Sequence, residues 1–299
     1  MPSLLPNQSH VGRLAECIGA LQAATCPVVM SVGEALDSDW PAWRMRATSD
    51  KPARRMRATM EDGNREARDP VGRSRVLPEW RQAPAAVVLP GSFNPLHMAH
   101  VTLLGEASRL LPQKPGSLPP VAALSLSVRT INKARATGML LPDRAWTMHA
   151  TLSAMRSPEC AHHVALLASH GLYLDQAIAL RNAMPGLHAD GLWFAIGHDK
   201  ACQIFDARYY DDRDAALQAL FRLAGLLVAP RAGGTAADVQ ELMDLPENRR
   251  FAPRVRPISL PSCLADVSST AYRAGVPTQG KPELPAPVVA MIEARRCYD

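Results

Sequence analysis

Apolar runs of strand length alternate with amphipathic stretches of helical length over the last two thirds of the chain. The apolar runs cover residues 85–89, 121–128, 164–168, 192–196, 226–229 and 255–260. The stretches with helical spacing cover residues 98–111, 143–155, 173–183, 215–223 and 236–245. A strand that is buried on both faces reads as a continuous apolar run, whereas a helix with one buried side repeats about every 3.6 residues. The alternation therefore predicts an α/β fold, a doubly wound parallel sheet with helices on both faces and ligands at the carboxyl ends of its strands.

The first 83 residues differ in character from the rest of the chain. Residues 11–24 have the spacing of a short amphipathic helix, and the regular pattern stops soon after Met30. From Pro41 to Ala83 there are eleven Lys and Arg residues against six Asp and Glu residues, a surplus of five that equals the net charge of +5 of the whole chain. Much charge and few aromatic side chains predict disorder. We therefore predict a poorly ordered extension at 1–83, partly helical and then basic, and one enzyme-sized domain at 84–299.

Composition sets loose limits on partners and compartment. The basic arm is either a solvated linker or a weak contact for nucleic acid or an acidic membrane surface. The chain has no apolar run long enough to span a membrane and no clear signal peptide. Its six cysteines show no Cys-x-x-Cys spacing, which argues against a zinc module or a disulfide framework. We expect a cytoplasmic protein, with nucleus and organelles left open, and the oligomeric state, a homo-oligomer included, is open as well.

A loop with several special residues follows the first apolar run of the domain. Residues 91–100 are Gly-Ser-Phe-Asn-Pro-Leu-His-Met-Ala-His. Gly91 permits a tight turn and leaves no Cβ between the main chain and a ligand, while Pro95 fixes one φ angle. His97 and His100 share a face if both lie in the first turn of the following helix. The unpaired N–H groups of such a turn attract phosphate, and two imidazoles there can donate hydrogen bonds to a phosphorus centre as its charge grows.

Two simpler interpretations of these histidines stay open at this point. A histidine on a helix caps or packs more often than it catalyses. The spacing His-x-x-His is also half of a metal site, although no third or fourth ligand has a suggestive position. The glycine, the proline and both histidines occur together directly after a strand, which favours the phosphate site.

The pattern Gly-x-Phe-x-Pro-x-His-x-x-His that begins at Gly91 resembles the first signature of the HxGH nucleotidyltransferases. This superfamily contains cytidylyltransferases, pantetheine-phosphate adenylyltransferase and the nicotinamide or nicotinate mononucleotide adenylyltransferases. Ala99 stands where glycine is usual in the family. Class I aminoacyl-tRNA synthetases share such a motif, but this chain has no Lys-Met-Ser-Lys-Ser-like run.

A second segment near the carboxyl terminus strengthens the resemblance. Residues 266–273 are Asp-Val-Ser-Ser-Thr-Ala-Tyr-Arg, which is similar to the family's Ile-Ser-Ser-Thr-x-x-Arg. Hydroxyl residues with an arginine one turn later suit a helix start that holds a polyphosphate. An ordinary Ser/Thr N-cap is the alternative.

The resemblance implies a role for each matching residue. The catalytic residues are His97, His100 and Arg273, with both histidines on the α-phosphate. The nucleotide-binding residues are Gly91, Ser92, Phe93, Gly197, Asp199, Ser268, Ser269 and Thr270. Residues 124–133 resemble the family stretch in which a strand ends near Asn-x-x-Lys, so Lys133 would contact the phosphate of the acceptor, and a surface lysine is the alternative there. Lys200 stands where threonine is usual, directly after Asp199.

The implied reaction moves a nucleoside monophosphate from a nucleoside triphosphate to a phosphate on a small acceptor and releases pyrophosphate. Catalysis is by positioning and charge stabilisation, and Mg²⁺ rides on the triphosphate with few protein ligands. The Gly-Ser-Phe-Asn-Pro opening and the Ser-Ser-Thr closing favour ATP and a nicotinamide or nicotinate mononucleotide, a step of NAD biosynthesis. The alternatives are a cytidylyltransferase, an adenylyltransferase with another acceptor, and a catalytically silent nucleotide-binding regulator or scaffold.

Overall fold

One mostly parallel sheet organises the chain. The computed structural model describes residues 4–36, 78–113, 116–129, 138–155, 162–230, 234–259, 261, 269–273 and 283–298. Within these residues the strands are β1 (Val29–Ser31), β2 (Ala86–Gly91), β3 (Val121–Ser127), β4 (His162–Ala168), β5 (Leu192–Gly197), β6 (Gly225–Ala229) and β7 (Val255–Pro257). They form a seven-stranded sheet in the order β1-β4-β3-β2-β5-β6-β7, in which only β1 is antiparallel to its neighbour. The parallel strands have the 3-2-1-4-5-6 order of a doubly wound sheet, which confirms the predicted fold class.

Helices connect the strands and cover both faces of the sheet. The helices of the described residues are α1 (Gln8–Ala23), α2 (Val32–Leu36), α3 (Glu79–Gln82), α4 (Met98–Arg109), α5 (Leu141–Ala154), α6 (Tyr173–Ala183), α7 (His198–Phe205), α8 (Arg213–Leu223), α9 (Ala236–Asp244), α10 (Ser269–Arg273) and α11 (Ala286–Arg295). Two short 3₁₀ turns lie at Ala207–Tyr209 and Arg249–Arg254. None of these helices is long and apolar enough to cross a membrane.

Each face of the sheet buries its own apolar core. Successive side chains of a strand point to opposite faces, so Val87 and Leu89 of β2 enter one core while Ala86 and Val88 enter the other. Helices α1, α4, α5 and α11 cover the first core, and α6, α7, α8 and α9 cover the second. Two-sided burial explains why the parallel strands are continuous apolar runs in the sequence.

The start of the chain packs against the first core. Helix α1 begins where the Asn7 side chain accepts a hydrogen bond from the His10 N–H at 2.8 Å, which satisfies one free donor of the first turn. Its buried residues include Leu14 and Leu21, both fully inaccessible to solvent, and burial of each is worth roughly 1.5–3 kcal/mol. The predicted helix at 11–24 is therefore present and begins three residues earlier.

Strand β1 is a feature that the sequence pattern did not predict. Val29 pairs with Ala168, and Ser31 pairs with Leu166, so the extension supplies the edge strand next to β4. A three-residue strand is too short to show a period, and pairing with the sheet rather than local pattern determines its conformation. The predicted disorder of the basic arm concerns residues that the structure leaves undescribed up to residue 77, and the domain boundary at 83/84 stays a prediction.

Candidate active site

Strands β2 and β5 are neighbours at the point where the strand order reverses, and we call the edge at which they part the crevice. Pairing between these strands runs from Ala86 with Leu192 to Val88 with Phe194 and extends no further, although both strands continue for three residues. The strands therefore separate towards their carboxyl ends. Such a switch point is where doubly wound sheets bind ligands. The loop after β2 and the start of α7 after β5 both lie at this edge.

The loop after β2 is tightly folded and mostly buried. Phe93 has a φ of 43°, which is unusual for a residue with a side chain, and only 1% of its surface is exposed. A Cβ on Gly91 would lie 2.7 Å from the Phe93 ring, so glycine is required for this close approach. The Phe93 ring contacts the ring of His100 edge-on, with centroids 5.2 Å apart. Phe93 therefore supports a histidine from beneath, and its predicted contact with a nucleotide stays a prediction.

The two histidines of the motif lie against each other at the start of α4. His97 is the N-cap residue, and its ring stacks on that of His100 with centroids 3.7 Å apart. The His97 N–H donates to Nδ1 of His100 at 3.3 Å. Because Nδ1 accepts, a neutral His100 carries its proton on Nε2 and can donate from there. Within the described residues, Nδ1 of His97 is buried and lacks a hydrogen-bond partner, so this side chain has unused polar capacity.

Burial keeps both imidazoles neutral at neutral pH. It lowers the pKa of His97 from 6.5 to about 4. The pKa of His100 lies well below its ordinary value, mainly because of burial and secondarily because of the adjacent His97. The pair can therefore act as hydrogen-bond donors without adding positive charge to the loop.

The second sequence signature reaches the same loop. Helix α10 places Ser269 so that its Oγ donates to the Pro95 carbonyl at 2.9 Å. Nη1 of Arg273 donates to the Asn94 carbonyl at 2.6 Å, and Nη2 donates to Oγ1 of Thr270 at 3.3 Å. These bonds use two of the five N–H groups of the guanidinium. The structure thus brings together both histidines with three residues of the second signature.

Arg144 is a candidate site residue that the sequence analysis missed. This arginine lies in the first turns of α5 and is 92% buried, and its Nε donates to the Met139 carbonyl at 2.7 Å. Nη1 donates to the Ser92 carbonyl at 3.4 Å. Burial lowers the pKa of Arg144; Tyr298 acts in the opposite direction, and the nearby positive charge of Arg273 lowers the pKa further. A sequence signal existed, because Arg144 is four residues before Met148 and so occupies the apolar side of a predicted helix.

The guanidinium groups of Arg144 and Arg273 therefore both contact the loop after β2. In the described part of the chain, neither Arg144 nor Arg273 forms an ion pair with a carboxylate. Their partners are backbone carbonyls and a hydroxyl, which stabilise the charge only as dipoles. Such a pair attracts a polyanion, and bidentate contacts with phosphate oxygens suit the planar guanidinium.

The side chain of Asn94 connects the loop to residues near α5 and α11. Its Oδ1 accepts from the Tyr298 hydroxyl at 2.6 Å and from the Met139 N–H at 3.0 Å. Burial raises the pKa of Tyr298 to about 12, so the hydroxyl keeps the proton that it donates. Tyr298 was not predicted, and nothing in its local sequence indicates the contact.

The remaining predicted residues lie at the crevice or outside the described residues. Gly197 ends β5, and Asp199 lies in the first turn of α7 on the β5 side of the crevice. A Cβ on Gly197 would meet nothing within 4 Å, which leaves open space at this point. Ser268 and Lys133 lie outside the described residues, so their roles stay predictions. Across the described ranges no group of three or more His, Cys, Asp or Glu residues is placed to hold a metal ion.

Comparisons with known proteins find only weak similarity. No protein-family model matches the chain, and no curated protein sequence matches it. One similar solved structure is Plasmodium falciparum nicotinic acid mononucleotide adenylyltransferase complexed with APC, with 16% sequence identity, a TM-score of 0.48, and coverage of 72% of this chain and 98% of that one. The same enzyme complexed with NaAD gives 15% identity, a TM-score of 0.49, and coverage of 72% and 97%. Similarity at this level says nothing about the activity of this chain.

Proposed function

We propose that the chain is a nucleotidyltransferase that transfers AMP from ATP to nicotinamide or nicotinate mononucleotide and releases pyrophosphate. The observation that carries the proposal is the meeting of two distant segments on one loop. Ser269 and Arg273 bond to loop carbonyls that lie 174 and 179 residues earlier in the chain, next to the paired histidines. A purely structural Ser/Thr cap does not explain an arginine that, within the described residues, bonds only to uncharged groups beside a buried histidine pair.

The residues present suit in-line transfer without a covalent intermediate. An oxygen of the acceptor phosphate attacks the α-phosphorus, and the bond to the leaving pyrophosphate breaks. Nε2–H of His100 is available to donate to an α-phosphate oxygen as negative charge develops there. Arg273 and Arg144 supply the positive charge that the leaving pyrophosphate requires. Gly197 and Asp199 belong to the nucleotide side in this proposal.

Magnesium enters this proposal as part of the substrate. ATP carries Mg²⁺ on its phosphates, and Mg²⁺ keeps several waters and needs few protein ligands. The described residues offer no carboxylate cluster for a resident ion, so no step is assigned to one. The choice of acceptor rests on the sequence of the two signatures, since a fold alone does not determine a substrate.

The test is pyrophosphate release by the purified chain with Mg²⁺ and either ATP or CTP. Nicotinamide mononucleotide, nicotinate mononucleotide, phosphopantetheine and phosphocholine are offered in turn. We expect release with ATP and one of the two pyridine mononucleotides. His100→Ala is expected to lower kcat by about 10²–10³ with little effect on folding, because its donor acts in the transition state. Arg273→Ala is expected to weaken the response to ATP through loss of phosphate contacts.

The control variant is Arg109→Ala, which removes an exposed arginine from the last turn of the same helix. It should leave turnover unchanged. Release with CTP or with another acceptor would assign the chain to a different member of the superfamily. Silence with all acceptors despite ATP binding would favour the regulator, and near-normal turnover of His100→Ala would remove its catalytic assignment.

A further inference from the structure

A short piece of the extension covers the carboxyl ends of β3 and β4. Residues 22–28, which we call the N-terminal strap, comprise the last two residues of α1 and the segment that leads into β1. Arg129 lies two residues after β3 and binds this strap through its main chain. Its Nε donates to the Gln22 carbonyl at 2.9 Å, and Nη2 donates to the carbonyls of Gln22 and Ala24, the latter at 2.5 Å. The Gln22 side chain returns a hydrogen bond to the Val128 carbonyl at 3.1 Å.

The same guanidinium continues into a polar network after β4. Nη1 of Arg129 lies 3.0 Å from Nε2 of His170, and Nδ1 of His170 lies 2.8 Å from Oγ of Ser169. A guanidinium only donates, so Nε2 accepts and a neutral His170 carries its proton on Nδ1. The Ser169 hydroxyl then accepts from His170 and from the Val28 N–H at 2.8 Å, and it donates to the Cys26 carbonyl at 3.4 Å. Arg129, His170 and Ser169 thus bond one another and the main chain of the strap, which holds the strap in one arrangement.

The position of this network relative to the crevice relates it to substrate binding in the proposed function. β3 and β4 lie on one side of β2, and β5 lies on the other. The histidine pair follows β2, and under the proposed function one of the two substrates would lie on each side of it. The proposed nucleotide residues Gly197 and Asp199 occupy the β5 side. The acceptor is left with the side that the strap covers.

We propose that Arg129 is a positioning residue that holds the N-terminal strap as the outer wall of the acceptor half of the site and so sets the affinity for the acceptor. The inference rests on the proposed function and extends it by giving the extension a role in substrate selection. Three backbone or imidazole acceptors converge on one planar, always charged group, which lysine cannot reproduce because it lacks the rigid fork.

The test separates the two substrates kinetically. Arg129→Ala is expected to raise the KM for the pyridine mononucleotide about tenfold or more, with kcat and the KM for ATP changed less than about twofold. Arg129→Lys, which keeps the charge and some donors, should fall between. The matched control is Arg13→Ala, because Arg13 donates to the Leu36 carbonyl at 2.5 Å within the same extension and makes no described contact at β3 or β4. The melting temperature of each variant is measured alongside.

The outcomes distinguish the inference from the proposed function. Equal increases in both KM values, a fall in kcat alone, or no change in Arg129→Ala would overturn the role of the strap while transfer itself stands. Should the wild-type chain transfer nothing, calorimetric titration with nicotinate and nicotinamide mononucleotide decides. If the wild type binds a mononucleotide and Arg129→Ala weakens that binding tenfold, the role of the strap stands and only the proposed reaction is refuted. If the wild type binds neither mononucleotide, both proposals are refuted.

Discussion

Protonation of His97 gives a prediction that needs no knowledge of the substrate. The unfolded chain binds a proton at His97 with a pKa near 6.5, while the folded chain binds it with a pKa of about 4. The folded state therefore holds fewer protons than the unfolded state between these values. The contribution of a neutral, buried His97 to stability is complete above pH 6.5 and is lost progressively as the pH falls through that window.

The size of the effect follows from these two values. Linkage gives a loss of about 2 kcal/mol between pH 7.5 and pH 5 and about 3 kcal/mol by pH 4. His100 acts in the same direction, because its pKa is also lowered by burial. His97→Gln removes the first titration. It also removes the neighbour that lowers the pKa of His100, so both changes reduce the dependence on pH.

The assay is denaturant unfolding of the wild type and His97→Gln at pH 7.5 and pH 5. The fall in unfolding free energy between the two pH values should be smaller in the variant by about 2 kcal/mol. The difference in unfolding free energy between the two proteins at pH 7.5 gives the cost of the substitution that does not depend on pH, and this cost is subtracted. Carbon-detected titration of the His97 ring in the wild type gives the pKa independently. An equal fall in both proteins, or a ring pKa near 6.5, would refute the reasoning.

Two further predictions concern the loop, and a third concerns an ion pair of the extension. Arg144→Met should weaken ATP binding tenfold or more, as measured by titration calorimetry. The unfolding free energy, measured in denaturant, should change by less than about 1 kcal/mol, because removal of a buried charge offsets the lost hydrogen bonds. Tyr298→Phe should lower the unfolding free energy by about 1 kcal/mol in denaturant melts, since it removes one bond to Asn94. Glu34→Gln should cost about 3 kcal/mol in the same assay because it removes the negative charge that compensates the mostly buried Arg81, whereas Glu106→Gln in a surface pair should cost under about 1 kcal/mol.

The sequence predicted those features whose cause is local. Six parallel strands and the helices between them follow from runs of apolar residues, because burial on both faces leaves a direct pattern. Helix α7 was missed because it is short and begins directly after β5. The contact of Tyr298 with Asn94 joins residues 204 positions apart and has no local signal. Arg144 lay within a predicted helix, but only the three-dimensional structure shows that its charge reaches the loop.

The charges at this loop argue for a role in binding rather than in stability. Burial lowers the pKa of Arg144, which means that the fold makes its charged form less favourable than it is in water. Tyr298 offsets part of this penalty, whereas the positive charge of Arg273 adds to it, and neither arginine forms an ion pair within the described residues. A polyphosphate bound between the two guanidiniums would relieve both penalties at once. Under the proposed function, the unfavourable arrangement of charges would favour binding of an anion, and the neutral histidines beside it would add donors without repelling that anion.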